Sequence, residues 1–115
     1  SIHCAVLGAI FLNGLPQAFV LGVAPHMHTL GRTLRVEGIR DGARTCIVDV
    51  PRWDFHWQQL SFYAQPYVVR RGDSVAIRCT YDTTSRTSVT RWGEGTDDEM
   101  CLSYFYITPV RPPSN

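Results

Sequence analysis

The chain has 115 residues, 44% of them hydrophobic, and carries 11 basic against 10 acidic residues for a net charge of +1. That length suits a single domain burying roughly two thirds of its unfolded surface. The even charge balance, with basic residues scattered, excludes the electrostatic footprint of a nucleic-acid binder. The longest apolar stretch, Ala18 to Pro25, is too short for a membrane span.

Helical periodicity is scarce, whereas apolar runs separated by turn residues recur along the chain. Val6 to Leu12 is apolar and stops at Asn13-Gly14. Ala18 to His28 follows, and in a regular strand its even positions (Ala18, Val20, Gly22, Ala24, His26 and His28) share one face. Thr33 to Ile39 enters Asp41-Gly42, a hairpin signal, and Thr45 to Val50 returns. Tyr67 to Arg70 precedes an Arg71-Gly72-Asp73 corner. Ser74 to Tyr81 alternates, and Thr87 to Trp92 and Cys101 to Thr108 complete the set. This pattern predicts an all-β antiparallel sandwich of short strands. Residues 110–115, with Pro112-Pro113, read as a tail, and the opening Ser1-Ile2-His3-Cys4 reads as an internal or mature start.

Cysteines stand at positions 4, 46, 79 and 101 with no C-x-x-C pair, which argues against a zinc ribbon or a thioredoxin-type motif. In a small β chain they predict two disulfides and an oxidising compartment, with three connectivities open.

The chemistry concentrates in His26-Met27-His28 and in Met100 of Asp98-Glu99-Met100-Cys101. Histidines at i and i+2 on a strand lie ~6.6 Å apart at Cα and point the same way, so both imidazoles can converge on one ion. A thioether as third ligand is soft and favours Cu(I) over zinc, magnesium or calcium. Met100 follows a polar stretch from Gly93 to Glu99 and directly precedes Cys101, an unusual setting for a core methionine. The glutamate that completes a cupin motif is missing, since Arg32 and Thr33 stand there, and Ser1 excludes a histidine brace.

Other features read more simply. Arg71-Gly72-Asp73 matches an adhesion tripeptide but also an ordinary turn before a strand. Asp97, Asp98 and Glu99 read as a solvated turn. His56 sits among aromatics in Trp53 to Gln58 as a structural residue, and His3 has no assignment. No G-x-S-x-G and no phosphate-binding glycine loop occurs.

Together, His26-Met27-His28-Thr29-Leu30-Gly31-Arg32, Trp53-Asp54-Phe55-His56-Trp57-Gln58, Gly72-Asp73, Cys79-Thr80-Tyr81 and Asp98-Glu99-Met100-Cys101-Leu102-Ser103-Tyr104 make the chain resemble a known family. It is that of the C-terminal catalytic domain of copper type II, ascorbate-dependent monooxygenases. The dopamine β-hydroxylase-like branch is the nearer one. The resemblance implies an antiparallel jelly-roll of about eight to nine strands, holding one copper ion through His26, His28 and Met100. It further implies hydroxylation of a small-molecule C–H bond with O2. Electrons would come from ascorbate through a second copper domain, upstream or in a partner. It also implies a Cys79–Cys101 disulfide and a secreted, extracellular or secretory or periplasmic lumenal location.

Three departures qualify these expectations. Residues for the second copper site are missing, since His3 and His56 cannot replace three ligands. Cys4 resembles a family cysteine whose usual partner lies beyond the methionine, so Cys4–Cys46 is expected as a local substitute. The peptide-amidating branch grips a carboxylate with an arginine and an asparagine where this chain has Ala24 and Leu102, although Tyr104 matches its tyrosine as a substrate contact. Trp57, Tyr63, Tyr104 and Tyr106 are available to line an apolar pocket. The competing expectation is a stand-alone copper-binding or interaction module without turnover.

Overall fold

Turn chemistry sets the strand boundaries. Asp41 and Gly42 both adopt positive φ, 50° and 79°, the backbone of a tight two-residue hairpin turn that glycine reaches without strain. They join Gly31–Arg40 (β3) to Ala43–Val50 (β4). The computed structural model describes residues 2–9 and 14–113, with side chains from residue 14 onward. Its other strands are Ile2–Ala9 (β1), Gln17–His26 (β2), Ser61–Arg70 (β5), Ser74–Tyr81 (β6) and Leu102–Thr108 (β7). A 3-10 turn covers Phe55–Trp57, capped by the Asp54 carboxylate accepting from the His56 N–H.

The strands form two antiparallel sheets, ordered β1-β6-β3-β4 and β5-β2-β7. Ala18, Val20 and Val23 of β2 and Val69 of β5 meet Leu34, Val36, Ile47 and Cys79 of the larger sheet in one buried cluster, closed at one end by Met27, Leu30 and Tyr81. The result is a β-sandwich whose two apolar faces need each other for burial.

Three expectations are corrected here. The strand count among the described residues is seven, not eight to nine. Thr87 to Trp92 is a surface loop in which only Trp92 makes a bridge, parallel, to Glu99. Its residues are mostly exposed, so no apolar face drives them into a sheet. Residues 10–12 of the predicted first strand lie outside the described residues. The even positions of β2 also do not share one face. A register shift between Val20 and Gly22 inverts the alternation, so Ala18 and Val20 face the core but Val23 does so beyond the shift.

The expected Cys4–Cys46 disulfide is likewise overturned. Cys46 is a free, exposed cysteine on β4, at one edge of the larger sheet. Cys4 belongs to β1 at the opposite edge, its backbone paired with Cys79. With β6 and β3 between them, the two strands lie ~14 Å apart, twice the Cα separation that a disulfide spans. His3 pairs with Thr80 in the same ladder.

The Arg71-Gly72-Asp73 corner is structural. Asp73 is buried and accepts from Arg40 Nε at 3.0 Å and Nη2 at 2.7 Å, and from the Arg70 N–H at 2.9 Å. Hydrogen bonding from Arg40 holds its carboxyl below the usual carboxylate range. A lowered folded-state value contributes stability that is complete above the unfolded value and disappears as pH falls through the folded one. Asp73→Asn is therefore expected to cost about 2 kcal/mol near neutral pH and to flatten the acid limb of the pH–stability curve. Urea unfolding between pH 2 and pH 7 tests both.

Candidate metal centre

β2 ends at His26, and the chain continues through Met27 to His28. Met27 is fully buried in the core. Its side chain leaves no space on Gly31, where an added Cβ would lie 2.9 Å from Met27 Sδ and Cε and from Trp53 Cδ1. Met27 thus pins the centre of the motif inward. The imidazoles of His26 and His28 come together with ring centroids 5.1 Å apart and planes at 81°.

Each imidazole is held through Nδ1. His28 Nδ1–H donates to the Asp98 carbonyl at 2.9 Å, and His26 Nδ1–H donates to Gln58 Oε1 at 2.6 Å. Gln58 Nε2 donates to the Phe55 carbonyl, which turns its Oε1 toward His26. Both partners are acceptors, so the proton belongs on Nδ1 and the Nε2 lone pair stays available. Ligating histidines are commonly oriented in this way. Phe55 also packs edge-on against His28 at 5.9 Å.

Backbone contacts bind the histidine segment to the methionine segment. The His28 N–H donates to Glu99 Oε1 at 2.9 Å and the Leu30 N–H to Oε2 at 2.8 Å. The Met100 N–H reaches Oε1 at 3.3 Å. The His28 carbonyl accepts from Trp53 Nε1 at 3.0 Å and from the Gly31 N–H at 3.3 Å. On the methionine side, Tyr81 Oη–H donates to the Met100 carbonyl at 2.7 Å, and Cys101 is disulfide-bonded to Cys79, buried in β6.

Glu99 therefore corrects the reading of residues 97–99 as a solvated turn. It is buried, and both carboxylate oxygens accept backbone N–H groups. Its sequence neighbours gave no hint, because the signal is burial, which a polar stretch conceals. Gln58 likewise carries no distinguishing signal of its own in the sequence.

The other candidates disperse. His56 is exposed and paired with Asp54 at 3.3 Å. Trp57, Tyr104 and Tyr106 are exposed, and Tyr63 packs against the core with its hydroxyl donating to the Ile47 carbonyl. Burial pushes the Tyr63 hydroxyl above the usual tyrosine range. Tyr104 lies opposite Ala24 in the β2–β7 ladder, two residues from the His26–Leu102 pair, and so shares the His26 face.

Among the described residues no three His, Cys, Asp or Glu side chains converge. Beside the two imidazoles lies the Met100 segment, whose backbone is tied to His28 through the Glu99 carboxylate. Two imidazole nitrogens and a soft sulfur form a donor set that suits copper in both oxidation states, with preference for the reduced one.

Comparison with known proteins points the same way. Residues 9–112 match the family described as copper type II ascorbate-dependent monooxygenase, C-terminal domain. Tyramine beta-hydroxylase of Caenorhabditis briggsae is 40% identical over 88 residues, 74% of this chain and 15% of that protein. DBH-like monooxygenase protein 1 of Gallus gallus is 32% identical over 114 residues, 93% of this chain and 18% of that protein. Dopamine beta-hydroxylase of Rattus norvegicus is 32% identical over 85 residues, 73% of this chain and 14% of that protein. The chain thus matches less than a fifth of the length of each of these relatives. With a histidine pair poised at Nε2 and a family match over nearly its whole length, the chain belongs to the copper type II ascorbate-dependent monooxygenases, as a domain of their C-terminal type.

Proposed function

We propose that this domain is the oxygen-activating copper domain of a secreted monooxygenase, with His26, His28 and Met100 as ligands of one copper ion. The observation that carries the proposal is the shared scaffold: both imidazoles are fixed through Nδ1, and one buried carboxylate ties His28 to Met100. When bound, copper would supply one-electron chemistry and activation of O2. The overall reaction inserts one oxygen atom into a substrate C–H bond. It reduces the other to water with two electrons and two protons, the electrons coming from ascorbate through a second copper domain.

The chain's own residues perform the orienting work. The Asp98 carbonyl and the Gln58 amide oxygen hold the two imidazoles in one orientation, with Nδ1–H as the donor and Nε2 facing away from these partners. Glu99, Tyr81 and the Cys79–Cys101 disulfide immobilise the Met100 backbone, so that little freedom must be lost when the thioether binds. Three protein ligands leave a position open, as catalytic sites require. The exposure of Tyr104 on the His26 face supports a role for it in substrate contact. The disulfide fits an oxidising, secretory or extracellular setting.

X-ray absorption at the copper edge on protein loaded anaerobically with one equivalent of Cu(I) tests the ligand set. The expected shell holds two imidazole nitrogens and one sulfur, with the sulfur missing in Met100→Leu. A sulfur that persists in the variant would remove Met100 from the site.

A further inference from the structure

A cavity of about 680 Å³ opens beside Met100, on the side of the loop that runs from Thr83 to Trp92. Its size is that of a small-molecule site. Met100 and Cys101 form part of its wall, while Val89 and Trp92 contribute exposed apolar surface from the loop. The charged lining residues are Arg86, Arg91 and Glu99. Glu99 is buried, with both oxygens accepting backbone N–H groups, so it offers no free carboxylate to a cationic ligand. Neither arginine forms an ion pair among the described residues. One nitrogen of Arg86 is steadied by the Asp97 carbonyl at 2.9 Å. The Thr90 hydroxyl, in the same lining, is buried without a hydrogen-bond partner. A buried polar atom left this way calls for an explanation, and a bound ligand is one.

From this lining we infer that the cavity is a substrate subsite selecting an apolar or aromatic body that bears a carboxylate or similar anionic group. In this assignment Arg86 and Arg91 are the specificity-determining residues. The assignment rests on the copper-site reading above, because the cavity adjoins the proposed thioether ligand. Two guanidiniums favour an anion through charge-assisted hydrogen bonds, whereas an alkylammonium would meet two like charges and no acceptor carboxylate. Trp92 and Val89 supply the apolar contact.

The test uses two probes with the same phenethyl body, 3-phenylpropionate and 2-phenylethylamine. They are titrated into the 115-residue chain by calorimetry, with amide shifts of residues 83–92 followed by NMR. The carboxylate is expected to bind about 10-fold or more tightly than the amine. In an Arg86→Gln/Arg91→Gln double variant that preference should vanish. A tighter amine, a preference surviving in the double variant, or no binding of either probe would overturn the assignment. Cu(I) affinity is measured on the same samples and separates the two readings. Carboxylate selectivity without Cu(I) binding would retain the subsite and remove the copper reading, and Cu(I) binding without selectivity would do the reverse.

Discussion

Glu99→Ala is expected to lose about 3–5 kcal/mol of folding stability, because the His28 and Leu30 N–H groups would remain buried without an acceptor. Glu99→Gln is the sharper variant. Glutamine keeps the length but presents one oxygen and one NH2 group, so one backbone N–H must face another donor. It should fold with an intermediate loss, and its Cu(I) affinity should fall about 10- to 100-fold, the usual consequence of disturbing the partners that orient a ligand. Urea unfolding and competition titration with a Cu(I) chelator measure the two effects separately. Retained affinity in a destabilised Glu99→Gln protein would show that Glu99 supports only the fold.

Met100→Leu should separate copper chemistry from stability. Leucine has a similar volume, and the loop is held by Tyr81, Glu99 and the Cys79–Cys101 disulfide rather than by the thioether. The expected stability change is below about 1.5 kcal/mol. Cu(I) affinity should fall at least ~10-fold while Cu(II) affinity changes less, since imidazoles serve both states and sulfur mainly the reduced one. In a protein that combines this domain with its proposed electron source, ascorbate-dependent hydroxylation should be lost. Equal loss of both oxidation states would point to a displaced histidine instead of a missing soft ligand.

The contrast between these residues shows why parts of the site were legible early and others were not. His26, His28 and Met100 are rare, chemically distinctive side chains, and their spacing relative to one another and to Cys101 is a property of the chain itself. The hairpin at Asp41-Gly42 and the strand Ser74–Tyr81 follow from turn chemistry and alternation, which are local. Thr87 to Trp92 has strand-like composition but forms a loop, because β-branched residues favour strands only when a sheet face buries them and this segment meets none.

The sequence by itself determined the all-β class and the kinship with the copper monooxygenases, because these depend on side-chain identity and short-range spacing. Only the tertiary structure decided which groups act at a distance. Glu99 became a buried clamp because residues 28, 30 and 100 were folded around it, and Gln58 became the orienting partner of His26 across 32 positions. The register shift at Val20 and Gly22 set which face each β2 residue presents. The strand order left Cys46 without Cys4, because sheet neighbours are chosen by packing across the whole core and not by separation along the chain.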